Sequence, residues 1–384
     1  MTTFPIDEFK NIETPFYYYD MELLDATLSK VKALMAENGY RVHYAVKANA
    51  NPRILAEVRK AGLGVDCVSG GEIEAALKAG FTGDSIMFAG VGKTDREIAL
   101  ALDANIRCFN VESLPELLNI NEIASGRQMM ARVAVRINPN VDAHTHQYIT
   151  TGLNENKFGI NLENLDEFVE TALSLDNVDL CGVHFHIGSQ ITETEPFVML
   201  CKKARQILDH MKELGAIISI VDMGGGLGID YDNPDAAPMP DFDTYFAVFR
   251  DNLQLDANQE LHFEPGRSIV GQCGSLVTRV LYVKDGTAKK FAIVDAGMTD
   301  LIRPALYQAH HKIENISSTS AVDDIYDVVG PICESSDCFG TDERLPLVER
   351  GDFIALRSAG AYGEIMASTY NCRHLPVSVF STDI

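Results

Sequence analysis

A lysine closes the apolar segment Val42-His43-Tyr44-Ala45-Val46-Lys47, and its setting predicts chemistry. The segment reads as a short buried strand of β-branched and aromatic residues, broken by Asn49-Ala50-Asn51-Pro52. A buried lysine is costly unless it has a partner or a covalent role. Desolvation that strips its proton makes it a nucleophile suited to Schiff-base formation. For an arbitrary strand-end lysine the commoner outcome is to snorkel into solvent. Here the ends of the other predicted strands argue against that outcome. Asp66 and Ser69 follow the second strand, and Arg136 ends the fifth. His184, His186, Gly188 and Ser189 end the sixth, Gly224-Gly225-Gly226 the seventh, and Glu264-Pro265-Gly266-Arg267 the eighth.

Gly224-Gly225-Gly226-Leu227-Gly228 lets backbone N–H groups approach an anion closely, and Ser189 adds a hydroxyl. That suits a single phosphate. Ile229 stands where a dinucleotide fingerprint needs its third glycine, and no Gly-Lys-Ser/Thr follows as in a nucleotide-triphosphate loop. A Schiff-base lysine, a phosphate cradle, a stacking imidazole at His186 and a carboxylate at Glu264 that keeps a pyridine nitrogen protonated together match pyridoxal phosphate.

These residues need a frame that gathers strand ends at one face. Eight strand candidates run Val42–Lys47, Gly64–Val68, Ile86–Ala89, Cys108–Val111, Ala131–Ile137, Leu180–Ile187, Ile218–Met223 and Leu261–Glu264. Amphipathic helical stretches alternate with them, several opened by capping boxes: Ser69 with Glu72, Thr94 with Glu97, Ser113 with Glu116. Eight βα units predict an α/β fold, a (β/α)8 TIM barrel over about residues 22–270, with a doubly wound sheet as the alternative. From 271 to 384 the chain turns β-rich, as in Ser275-Leu276-Val277-Thr278-Arg279-Val280. This predicts a C-terminal antiparallel β-sandwich or barrel domain, joined by the strand-like opening within residues 1–21.

The net charge of −23 opposes binding to nucleic acid or to an anionic membrane, so neither is an expected partner. The eight cysteines form no CxxC pair, and several lie in apolar runs, which predicts a reducing, cytoplasmic setting. Neither a signal peptide nor a membrane-spanning run is recognised. His184-Phe185-His186 alternates so that both imidazoles point one way, as in a metal-dependent barrel hydrolase. The further His and Asp ligands are missing, and no metal is expected.

Tyr44-Ala45-Val46-Lys47-Ala48-Asn49, His186-Ile187-Gly188-Ser189-Gln190, Gly224-Gly225-Gly226 and Glu264-Pro265-Gly266-Arg267 resemble the fold-type III pyridoxal-phosphate decarboxylases, an alanine-racemase-like barrel with a β domain. Asp295-Ala296-Gly297-Met298-Thr299-Asp300-Leu301-Ile302-Arg303-Pro304-Ala305-Leu306-Tyr307, Gly330-Pro331-Ile332-Cys333-Glu334 and Gly360-Ala361-Tyr362-Gly363 resemble the diaminopimelate branch of that family, with Thr299 where Asn is common. The resemblance spans nearly the whole chain. It implies conversion of meso-diaminopimelate to L-lysine and carbon dioxide, the last step of lysine biosynthesis. Other basic-amino-acid decarboxylases of the same fold (carboxynorspermidine, ornithine or arginine type) are the alternatives. A regulatory homologue without turnover would be expected to lack Lys47 or Cys333, and both are present. By resemblance, Lys47 holds the cofactor and Cys333 donates a proton. Asp66, His186, Ser189, Gly224, Gly225, Gly226, Glu264, Gly266, Arg267 and Tyr362 surround the cofactor, while Arg267, Arg303, Tyr307, Glu334 and Tyr362 hold the substrate. The Cys-Glu segment is lent by the partner subunit in this family, which implies a homodimer with shared active sites.

Overall fold

A computed structural model describes residues 4–141 and 157–384. The chain divides into two compact units. One unit contains Leu28–Gly228 and Asp241–Gly266; the other contains Met1–Thr27, Ile229–Pro240 and Arg267–Ile384.

The strand β1 (Phe16–Tyr19) opens the second of these units. The first unit is a closed parallel barrel of β2 (Arg41–Ala45), β3 (Gly64–Cys67), β4 (Ile86–Phe88), β5 (Cys108–Val111), β6 (Ala131–Arg136), β7 (Val178–His184), β8 (Ile220–Asp222) and β9 (Glu260–Phe263), in sequential order. The doubly wound alternative is therefore excluded, because β2 pairs with β9 and leaves no edge. Most barrel strands are buried on both faces, which is why they read as unbroken apolar runs. Met87, Cys108, Ala134, Cys181 and Ile220 pack together within this unit.

Local chemistry sets the helices between the strands. Asn51 caps the helix Pro52–Ala61 by accepting from the Arg53 N–H, proline occupies its first turn, and Gly62 ends it in the left-handed region. Its apolar residues Ile54, Leu55 and Val58 are buried. Thr94 and Glu97 form a full capping box. The boxes expected at Ser69 and Ser113 are half-boxes. Each serine accepts from the glutamate's N–H, but Glu72 and Glu116 reach the N–H groups of Val68 and Glu112, one residue before the cap.

The β unit continues with β10 (Gly274–Asp285), β11 (Lys290–Val294), β12 (Ile313–Asn315), β13 (Asp323–Val329), β14 (Cys338–Pro346), β15 (Phe353–Leu356) and β16 (Val377–Phe380). The strand order is β12-β15-β10-β11-β13-β14, and β1 pairs antiparallel with β10 and parallel with β16. A register shift between Val280 and Tyr282 lets the long β10 pair with β1 and β15 along its first half and with β11 along its second. Phe9, Phe16, Tyr18 and Phe353 pack with Val277 in a largely aromatic core at this junction. Among the described residues no helix is long and apolar enough to cross a membrane.

Candidate active site

In the barrel unit the expected residues meet at the carboxyl ends of the strands. Lys47 departs from its expectation as a buried strand residue. β2 stops at Ala45, and Lys47 lies in a short 3-10 turn, Val46–Ala48, with its side chain 36% exposed. Its Nζ donates to Asp66 Oδ2 at 2.9 Å, and Asp66 is fully buried. The turn forms because the chain leaving β9 lies across it. Ala45 N–H donates to the Pro265 carbonyl, and a Cβ on Gly266 would come within 3.0 Å of the Ala45 and Ala48 methyl carbons.

Glu264 sits one residue beyond β9 and is buried. Asn110 Nδ2 donates to its Oε1 at 3.1 Å, and His184 Nε2 meets its Oε2 at 3.0 Å. Burial pushes this carboxyl up, but His184 and then Lys47 outweigh it and hold the group well below the ordinary carboxylate range. Asp222, at the end of β8, goes the other way: burial, then the Glu264 charge, raises it well above its usual value. Burial and Glu264 also push Asp66 up to about 6, against the pull of Lys47. Three carboxyl groups in one barrel end thus diverge: Glu264 is held low, Asp222 is pushed up, and Asp66 is paired with lysine. A buried carboxylate kept ionised in this way suits a cationic partner, such as the N–H⁺ of a heterocycle.

His186 lies two residues beyond β7 and is half-buried. Burial, then Arg136 and Lys47, depress its pKa far below the usual histidine value, so the ring is neutral. Its Nδ1 accepts from the Gly225 N–H at 3.3 Å, which leaves the ring proton on Nε2. The two histidines of His184-Phe185-His186 therefore face different partners. Among the described residues, the three-residue group with ligand atoms within 4.8 Å is His184, Asp222 and Glu264, and His186 is not in it. The two imidazoles that a metal-hydrolase reading paired do not share that group.

The glycine run threads between neighbouring backbones. A Cβ on Gly224 would lie 2.3 Å from the Phe185 carbonyl oxygen, and one on Gly225 2.3 Å from that of Glu264. Gly224 and Gly226 also have φ of +70° and +112°, where side chains are strained. A parallel bridge between Ile191 and Leu227 ties this loop to the one carrying the half-buried Ser189.

The β unit holds a second cluster. Arg267 and Arg303 are both buried there, and both guanidinium groups lie over the same two rings. Arg267 is 5.8 Å from the Tyr231 centroid and 5.0 Å from that of Tyr362; Arg303 is 5.6 and 5.9 Å from them. Arg267 Nη1 donates to the Tyr231 hydroxyl. Burial lowers Arg303, the tyrosines oppose it, and the like charge of Arg267 lowers it further. Two adjacent buried cations on aromatic faces could together accept a carboxylate. Tyr307 is half-buried at the end of the helical turn that Arg303 opens.

Cys333 and Glu334 lie in an exposed turn. Asp337 pins it by accepting from the N–H groups of Ile332 (2.7 Å) and Met298 (2.6 Å), and the Tyr370 hydroxyl donates to Glu334 Oε1 at 2.8 Å. Thr299 is buried, with its hydroxyl on the Asp300 carboxylate at 3.3 Å. Sequence reasoning missed Asn110, Asp222 and Tyr231. Asp222 carried a signal, an acid inside an apolar strand candidate. Asn110 also lies within a strand candidate, whereas Tyr231 lies in a segment with no chemical pattern.

The sequence profile described as "Pyridoxal-dependent decarboxylase, pyridoxal binding domain" matches residues 23–271. Diaminopimelate decarboxylase of Bacteroides thetaiotaomicron is 57% identical over 382 residues, covering 99% of each chain. The crystal structure of diaminopimelate decarboxylase from Helicobacter pylori complexed with L-lysine is similar with a TM-score of 0.92 and 42% identity, covering 99% of this chain and 94% of that one. The M. jannaschii diaminopimelate decarboxylase in co-complex with L-lysine matches with a TM-score of 0.87 and 38% identity, over 98% of this chain and 89% of that one. Matched by that profile over 23–271 and 57% identical along its length to a diaminopimelate decarboxylase, the chain belongs to the diaminopimelate decarboxylase family of pyridoxal-dependent decarboxylases.

Proposed function

We propose that this chain removes carbon dioxide from meso-diaminopimelate and leaves L-lysine, with pyridoxal phosphate held at the strand ends of the barrel. The observation that carries this reading is the buried Glu264 carboxylate, held ionised by His184 and Lys47, bonded by Asn110 and close to the glycine loop. The residues present fit the cofactor: an amine, a neutral imidazole, a close-packed glycine loop and an anion for a pyridinium proton. Bound pyridoxal phosphate supplies an electron-poor ring that accepts the electron pair released as the carboxylate leaves. Lys47 would hold it covalently, while Gly224, Gly225, Gly226 and Ser189 would bind its phosphate. Glu264 would keep the ring nitrogen protonated, and His186 would lie against the ring. Asp66 holds the Lys47 ammonium in place. Gly266 keeps the chain close to the lysine turn.

Arg267, with Arg303 and Tyr307, would read the carboxylate at the far end of the substrate, and Tyr362 would border both cofactor and substrate. The helical turn that Arg267 opens begins three residues after Glu264 in the chain. Glu334 would read the distal ammonium, and Cys333 would deliver a proton from its Sγ to the carbon that has lost its carboxylate. Following the family resemblance, we assign both to the site of a partner subunit in a homodimer, which agrees with their exposure on a pinned turn. With five of the eight free cysteines buried, the assigned compartment is the cytoplasm.

The test is carbon dioxide release from the pyridoxal-loaded protein given meso-diaminopimelate, ornithine, arginine or carboxynorspermidine. Strong preference for meso-diaminopimelate is expected, because an analogue lacking a group the site hydrogen-bonds is rejected by roughly 10⁴–10⁵. Equal turnover of ornithine or carboxynorspermidine would assign the chain to another branch of the family.

A further inference from the structure

Arg303 makes one side-chain hydrogen bond among the described residues, and its partner is a histidine. Arg303 Nε lies 3.3 Å from His311 Nε2, and both side chains are buried. On its far side, His311 Nδ1 lies 2.9 Å from the Arg357 carbonyl oxygen. A carbonyl accepts, so Nδ1 carries the ring proton and Nε2 is left as an acceptor for the arginine N–H. The ring meets Tyr231 edge-on, with centroids 5.1 Å apart at 84°. The carbonyl that orients His311 is itself anchored. The Arg357 side chain is buried between Glu314 (2.6 Å) and Asp235 (2.8 Å). Burial, reinforced by the charge of Arg303, depresses His311 to about 3, so the acceptor stays neutral across the physiological range.

This arrangement settles which edge of Arg303 is available. With Nε turned to His311, the two terminal amino groups remain as a paired donor edge for a carboxylate. Without that acceptor, Arg303 would carry a buried unpaired N–H beside the like charge of Arg267, and both effects favour a rotated guanidinium. We propose that His311 is a positioning residue for substrate selectivity: as a neutral, tautomer-fixed acceptor it aims Arg303 at the distal carboxylate. His311 does not itself touch the substrate. The inference rests on the reading of Arg267 and Arg303 given above.

Decarboxylation at one end of diaminopimelate leaves L-lysine with its carboxylate at the unreacted, distal end. Cadaverine (1,5-diaminopentane) is the same chain without that carboxylate. The test measures calorimetric binding of L-lysine and of cadaverine to pyridoxal-loaded wild type, His311→Leu and His311→Gln, with kcat and KM for meso-diaminopimelate alongside. Leucine removes the acceptor at similar volume. Glutamine can accept from Arg303 through its oxygen and donate to the Arg357 carbonyl through its amide. In His311→Leu, L-lysine binding should weaken by about 10- to 100-fold, the usual cost of one hydrogen bond to a charged group. Cadaverine binding should stay unchanged, and the loss should appear in KM more than in kcat. His311→Gln should recover most of the lysine affinity. Unchanged lysine affinity in His311→Leu, equal weakening of both ligands, or failure of glutamine to rescue would each overturn the positioning role. If wild type binds lysine no better than cadaverine, the carboxylate site itself is absent, and both the inference and the arginine reading fall.

Discussion

Replacing Glu264 by glutamine keeps the shape of the side chain and removes its charge. The carboxylate is buried, and its two oxygens are engaged by Asn110 and His184. A carboxylate and a cation about 4 Å apart interact by about 4 kcal/mol at an effective dielectric of about 20. Removal of one preorganised electrostatic partner generally costs about 10²–10³ in kcat. Both estimates point to a kcat lowered by two to three orders of magnitude in Glu264→Gln. The glutamine amide would also set one donor against the Asn110 or His184 donor, a destabilisation of about 1–3 kcal/mol that denaturant unfolding will report separately. The assay is carbon dioxide release at saturating meso-diaminopimelate across pH. Because the folded pKa of Glu264 lies well below its ordinary value, the group stays ionised on acidification. The variant should therefore lower the plateau without moving the acid limb of the profile. A kcat within tenfold of wild type would refute the electrostatic role, and an acid limb abolished in Glu264→Gln would refute the charge assignment among the three carboxyl groups.

Three more outcomes are expected. A Cβ at Gly225 would fall 2.3 Å from a backbone oxygen that cannot swing away, so Gly225→Ala should lose bound pyridoxal phosphate at least about tenfold more readily on dialysis, read from visible absorbance; full retention would remove the loop from the phosphate site. Mixing inactive Lys47→Ala with inactive Cys333→Ala should restore partial activity through heterodimers with one intact site, and no recovery after proven subunit exchange would place Cys333 in its own subunit's site or outside the chemistry. Burial depresses His43 to about 4, while the unfolded value is near 6.5; the unfolded state therefore binds more protons between those values. Its contribution is full above about pH 6.5 and is lost as pH falls toward 4, by about 2 kcal/mol between pH 7 and pH 5, so His43→Gln should flatten that part of the stability profile measured by denaturant unfolding.

The sequence alone was enough to place these side chains near strand ends, because short apolar runs, capping residues and glycine turns are local signals. Lys47, His186, the glycines at 224–226 and Glu264 could all be picked out one segment at a time, and eight such segments in series implied the barrel. The pairing of β1 with β10 follows no local rule, since Phe16 meets Val277 only once the β unit has folded. Nor does Lys47 announce that it will leave its strand for a 3-10 turn, which depends on the chain departing β9. The charge of Glu264 depends on Asn110 and His184, respectively 154 and 80 residues away in the chain. Tyr231 lies in a stretch, Ile229–Pro240, flanked on both sides by barrel sequence yet packed with the β unit, where it receives Arg267 from 36 residues on. Residue types and turns are written locally. Protonation states, and the direction in which a guanidinium faces, are set by the desolvation and neighbouring charges that distant segments impose as each unit folds.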